Sequence, residues 1–179
     1  MSDNFKFYKT FIDQCKAIDL CIGGNFVLPS LCLIYSGIDA AAWVAYGDIP
    51  VKERFVRFVS EFMYKEKPLD PQPIDLYAAR CAVLHTMTPD SKLSKNNKAV
   101  PVSYAWGTAD LEELKKAADT LKPGELSYLH LNDLSLSFRL GLALFVEHSG
   151  DNEECKERIK KHYSHLSKEI VSNFNKLNI

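Results

Sequence analysis

No glycine-rich phosphate loop, nucleophile elbow or H-E-x-x-H zinc motif occurs anywhere in the sequence, and Gly23-Gly24 lacks the preceding strand that a dinucleotide fold requires. The common nucleotide-binding and hydrolase classes are thereby disfavoured. Neither sign of charge is in excess: 22 Lys and Arg face 23 Asp and Glu, for a net charge of −1. Nothing global therefore draws the chain to nucleic acid or to an anionic membrane, and any RNA contact has to be local. The cysteines number five, an odd count, with no C-x-x-C pair. Most lie in apolar helical surroundings, which reads as reduced core thiols rather than a disulfide framework, and hence as a cytoplasmic protein. The opening Met1-Ser2-Asp3-Asn4 is polar and acidic and does not read as a secretory leader. There is no internal repeat and no low-complexity linker, so residues 1–179 read as one domain.

What is present is mostly helical periodicity. Phe7, Phe11, Cys15 and Ile18 recur at helical spacing within 5–22, and Gly23-Gly24-Asn25 supplies a left-handed end. A second helix is predicted from Pro29-Ser30 to Tyr46. Its run from Phe26 to Tyr46 is long enough to raise the membrane question. With Asp39, Ser36, Gly37 and Pro29 inside it and no basic flank, a central helix buried on most sides is the better reading.

A third helix over Val51–Tyr64 carries the stripe Val51, Phe55, Phe58, Val59 and Phe62, and a fourth runs from Pro73 to Thr86. Ser91–Asn97 reads as a polar loop holding or flanking Lys92, Lys95 and Lys98. Alternation of Val100, Val102, Tyr104 and Trp106 predicts a strand. Thr108 is placed to cap the next helix, 126–131 is a second strand candidate, and Asn132 and Asp151 are placed to cap two more helices. The last of these puts Ile159, Tyr163, Leu166, Ile170 and Phe174 on one stripe. The expected fold is a helical bundle with a small two-stranded, hairpin-like β insertion after the fourth helix.

The segment with chemistry in it is Arg80-Cys81-Ala82-Val83-Leu84-His85. Arginine clamps phosphate through paired hydrogen bonds and stays charged. Histidine moves a proton near neutral pH. Together they can polarise a phosphodiester and deprotonate a ribose 2′-hydroxyl without a metal. Five steps of roughly 100° set the two side chains about 140° apart around the helix, so their convergence calls for a distorted helix end or a second copy. The plainer alternative pairs Arg80 with a carboxylate and leaves His85 at a helix C-terminus, where a cation is favoured. Asp39, a lone carboxylate on an apolar helix, needs a partner. Arg80 is the natural one, then Arg54 or Arg57, in a structural ion pair; a catalytic acid is the lesser reading. Cys155, His162 and His165, with His148 nearby, are zinc-type ligands, but not at a finger spacing. They read as part of an ordinary basic face, with no metal site.

The stretch from Leu76 to Thr86 resembles the signature of the HEPN superfamily, compact helical bundles carrying Arg, four to six residues, then His late on a helix. The order of the upstream helices, with Ile34 to Ala40 on the second, is similar too. The resemblance implies a HEPN-like bundle and a metal-independent endoribonuclease, or an RNA-binding relative, that works as a homodimer without a cofactor. It places Arg80 on the scissile phosphate and His85 in proton transfer, with Lys92, Lys95 and Lys98 available to hold the RNA backbone. Toxin-type members imply an antitoxin-like partner protein. Cys81 stands where family members often carry a polar residue, a departure that bears on activity more than on fold. The runner-up function is a non-catalytic helical module that docks a partner protein or a nucleotide-like ligand. The two separate on whether Arg80 and His85 share an exposed cleft.

Overall fold

A computed structural model describes residues 3–65, 67–88, 91–121 and 124–161. The chain is mainly helical. Its elements run α1 (Asp3–Gly23), α2 (Val27–Tyr46), α3 (Val51–Phe58) continuing into a π-helical turn (Val59–Met63), α4 (Pro73–Thr86), a single turn α5 (Lys92–Lys95), β1 (Val102–Ala105), α6 (Leu111–Leu121), β2 (Ser127–His130), α7 (Leu131–Asp151) and a further helix, α8, over 153–161.

Helix α2 is the centre of the bundle and packs against α1, α3, α4 and α7. By length and composition it could cross a membrane, yet half of its most apolar window is buried inside the protein. Its residues Ile34, Tyr35, Ile38, Ala41 and Ala42 are fully enclosed. Aromatic rings fill the core beside it: Phe58 meets Phe145 edge-on at 5.8 Å, and Phe62 meets Phe145 at 5.9 Å. Such edge contacts add to the burial energy of the rings. Helix α7 approaches the π turn closely at Gly141, where a Cβ would lie 2.6 Å from Met63 Cγ and 3.2 Å from its Cα.

Several ends differ from the sequence reading. The left-handed residue after α1 is Asn25 (φ 59°), not either glycine, and asparagine tolerates that conformation. Ser91–Asn97 is not all loop, because Ser91 and Ser94 exchange backbone and hydroxyl hydrogen bonds that set up the turn α5. Helix α6 is capped by Asp110, whose Oδ1 accepts from the N–H groups of Glu112 and Glu113 at 2.8 and 3.1 Å, rather than by Thr108. Helix α7 starts directly from β2, with His130 Nδ1 accepting from Asn132 N–H, so Asn132 lies inside the helix. Asn152, not Asp151, caps α8 through Cys155 N–H at 3.0 Å. Tyr163, Leu166, Ile170 and Phe174, expected on the last stripe, lie outside the described residues.

The two strands are parallel, with Val102 opposite Ser127 and Ala105 opposite His130. The hairpin-like expectation is thereby corrected. The connection between them contains the whole of α6, and a crossover of that length is what parallel pairing needs. Tyr104 points from β1 into the core, where its hydroxyl meets that of Tyr35. The strands thus attach to the bundle through α2, α4 and α7.

Candidate functional site

Helix α4 carries the site, and its start is fixed firmly. Gln72 and Asp75 form a capping box with Pro73 in the first turn. Asp75, almost fully buried, accepts from Gln72 N–H at 2.9 Å and from Val100 N–H at 2.7 Å, which ties the approach to β1 against the helix start. The helix ends at Met87, left-handed at φ 52°. His85 lies in the last turn.

On the α2 side, Arg80 meets Asp39. Its Nε and Nη2 donate to the same carboxylate oxygen, Oδ2, at 2.7 and 2.5 Å. The two side chains are only 14% and 18% exposed, so water does little to screen the pair. Asp39 Oδ1 is buried with no hydrogen-bond partner among the described residues. Burial opposes the Arg80 charge. The Asp39 carboxylate, helped by the Cys81 thiol, more than offsets it, and the guanidinium pKa rises above its ordinary value. The structural ion pair expected of Asp39 is therefore present with its first-choice partner. Arg54 lies elsewhere, sending Nη1 to Ile49 O at 3.4 Å, and Arg57 pairs with Glu61 at 3.1 Å.

The same guanidinium reaches His85. Its Nη1 lies 3.2 Å from His85 Nε2 and 3.9 Å from Cys81 Sγ. Arginine has only donors to offer, so in this contact His85 Nε2 is the acceptor. The angular argument left a distorted helix end or a second copy as ways to bring Arg80 and His85 together; one chain does so alone. That argument counted Cβ directions, whereas a four-atom arginine stem lying over a small Cys81 side chain spans the gap.

Tyr77, Cys81 and His85 follow one another at four-residue spacing, so they form a file along α4 with Arg80 beside it. Burial first, then the adjacent Cys81 thiol, pushes the Tyr77 hydroxyl pKa upward. Tyr77 and Cys81 were not singled out as site neighbours from the sequence, although the same spacing was available to find them.

Lys92, Lys95 and Lys98 are all exposed. Lys98 lines an open polar cleft with Gln72, Asp75, Asn97 and Glu125, at the beginning of α4. His85 lies ten residues further along that helix, about 15 Å at the helical rise. The structure therefore does not gather Lys98 with the Arg80–His85 pair. Among the described residues no three His, Cys, Asp or Glu side chains converge as a metal site. Cys155 is buried with its Sγ toward Ala45 O, while His162 and His165 lie outside the described residues. No protein-family model matches the chain, and no curated protein or solved structure is significantly similar to it.

Proposed function

We propose that the outward face of α4 is a phosphodiester site worked by Arg80 and His85, and that the chain is a metal-independent endoribonuclease of the HEPN type. The observation that carries this reading is the 3.2 Å approach of Arg80 Nη1, a permanent cation, to His85 Nε2. In the reaction the RNA phosphate displaces His85 from Arg80 Nη1 and takes its place as acceptor. The freed Nε2 takes the proton of the 2′-hydroxyl, whose oxygen attacks the neighbouring phosphorus. The bond from phosphorus to the 5′-oxygen breaks and that oxygen takes up a proton, leaving a 2′,3′-cyclic phosphate and a 5′-hydroxyl. Arg80 stabilises the charge that gathers on the phosphoryl oxygens. Asp39 holds the guanidinium at its other edge, so that Nη1 faces the substrate without the whole side chain having to be ordered on binding.

The reading includes a homodimer formed through the exposed end of α4, and RNA or an antitoxin-like protein as partner. Light scattering at tens of micromolar tests the dimer, and a monomer there removes it. For the activity, purified protein is incubated with diverse single-stranded RNAs in EDTA, and the new ends are analysed. Cyclic phosphate ends on RNA, with DNA of the same sequence left intact, are expected. RNA that survives undamaged sinks the enzyme.

A second reading, a non-catalytic module docking a partner protein or a nucleotide-like ligand, draws on a different observation. Asp39 already neutralises Arg80, and both are more than four-fifths enclosed. In that case Arg80 is a structural tie between α2 and α4, and His85 is an exposed helix-end histidine.

A further inference from the structure

The register of the parallel pair identifies which peptide groups of β1 have no strand beside them. Ser127 N–H donates to Pro101 O at 3.0 Å, and Val102 sits opposite Ser127. Pro101, Ser103 and Ala105 therefore turn their backbone polar groups toward β2, and Val102 and Tyr104 turn theirs to the other side. The outer edge of β2 is occupied, with Tyr128 N–H bound by Asp70 Oδ2 at 2.9 Å. Among the described residues, the outer edge of β1 is hydrogen-bonded only at its beginning, where Asp75 takes Val100 N–H. Among the described residues no hydrogen bond reaches the outward N–H of Val102 or Tyr104. Enclosed backbone donors without a partner are rare in folded proteins, and Val102 is 7% exposed.

The same two residues, Val102 and Tyr104, line an apolar groove of about 250 Å³. The opposite walls are the first turns of α2, with Val27, Leu28 and Leu31, and the last turns of α4, with Ala82, Val83 and Met87. Among the described residues no charged side chain lines it. Met87, which lines it, is 73% exposed, and Phe26, beside Val27, and Trp106, just past the end of β1, are 60% and 48% exposed. Trp106 is brought to that end because its neighbour Gly107 lies against the α1–α2 turn, where a Cβ would be 3.6 Å from Asn25 Oδ1. Exposed apolar surface gathered in this way marks a contact site more often than a solvent face.

We propose that this groove takes an extended apolar peptide of a partner protein, added as a third strand to the free edge of β1. The unpaired peptide groups of Val102 and Tyr104 select an extended backbone. Alternate side chains of that strand, about 7 Å apart, point into the groove, and its lining selects apolar ones. The site is separate from the Arg80–His85 pair, neither member of which lines the groove.

The test is panning of a displayed random heptapeptide library on the whole protein, followed by fluorescence polarisation with a labelled synthetic copy of the enriched sequence. Enrichment of peptides with apolar residues two positions apart is expected. Binding should weaken about tenfold or more in Leu28→Glu, a rim change at a 36% exposed position that circular dichroism can show to be folded. Independently of any variant, N-methylation of the peptide backbone at the residue facing β1 should weaken binding by a similar factor. Amide exchange of Val102 and Tyr104, followed by NMR, should slow about tenfold or more when the peptide is added. A library that enriches nothing, or a bound peptide that leaves the exchange of both amides unchanged, overturns the proposal. So does a dimer dissolved by Leu28→Glu, which assigns the groove to a second copy of the chain.

Discussion

Arg80 and Asp39 meet through a single carboxylate oxygen: both guanidinium contacts fall on Oδ2, and Oδ1 is left buried with no partner among the described residues. A buried pair in which one acceptor goes unused is costly to break and inexpensive to replace. Removing one partner strands a charge, whereas replacing both removes the desolvation cost along with the attraction.

Asp39→Ala should accordingly lower stability by about 3 kcal/mol, the lower end of the range for breaking a buried pair, since each side chain keeps some contact with water. The double change Asp39→Leu with Arg80→Met should recover most of that loss. Urea unfolding of the two variants and the wild type decides the matter. A change under about half a kilocalorie per mole in the single variant would mean that the pair carries no weight.

If the chain cuts RNA, His85→Ala should slow cleavage about 10²–10⁴-fold, the usual worth of a positioned proton-transfer group. Arg80→Ala should do comparable damage, but Arg80 also ties α2 to α4, so its variant must first be shown to be folded. His85 is exposed and its substitution should leave the melting temperature nearly unchanged, which makes it the cleaner probe. A His85→Ala protein that cleaves at the wild-type rate would remove the proton-transfer role.

RNA binding should weaken with salt, and replacing Lys92, Lys95 and Lys98 by alanine together should reduce the logarithmic salt slope by about 2, at roughly 0.7 per phosphate contact on a single strand. Lys98 lies at the opposite end of α4 from His85, so the loss from Lys98→Ala alone should appear only with RNAs long enough to span that distance. An unchanged slope in the triple variant would take the lysines out of the site.

Gly141→Ala should destabilise the bundle by about 1–3 kcal/mol. The new Cβ would press on Met63 Cγ at 2.6 Å and on the backbone of the π turn at 3.2 and 3.3 Å, and backbone yields less readily than a side-chain tip. The melting temperature measures this directly. An unshifted value would mean that α7 can move away from the turn freely.

Alkaline pH should unfold the protein early. Burial raises the hydroxyl pKa of Tyr35, Tyr46, Tyr64 and Tyr104 above the ordinary tyrosine range. Each group is held neutral in the fold and ionises near 10 in the unfolded chain. Its contribution is complete below pH 10 and declines as pH rises toward the folded values. The unfolded state binds fewer protons in that window, so stability falls with a slope of up to about 1.4 kcal/mol per pH unit per tyrosine. Thermal melts between pH 8 and 11 should be flat at first and then drop steeply. A flat profile throughout would mean that these hydroxyls reach water.

Much of the bundle was legible because helical spacing is a local property. The stripe Val51, Phe55, Phe58, Val59 and Phe62 and the Pro73 start of α4 both stand where the pattern put them. The Asp39–Arg80 pair was legible for a related reason: a carboxylate on an apolar helix must find a cation, and few were within reach. The caps were less so, because Asp110, His130 and Asn152 each compete with a near neighbour of similar chemistry, and a shift of one or two residues in the helix start decides which one serves.

What the sequence determined by itself, then, is the set of longer helices, without the turn α5, the insertion after α4 and the need of Asp39 for a partner, all of which follow from periodicity and the cost of burying charge. Only the tertiary structure decided that the strands run parallel, since strand direction is set by how α6 packs across the connection and not by the alternation of Val102 and Tyr104. Only it decided that Arg80 touches His85 within one chain, because that contact depends on side-chain reach over Cys81 and on Asp39 holding the guanidinium from the far side. The free edge of β1 was likewise beyond local reading: an edge exists only once the neighbouring elements have taken their places.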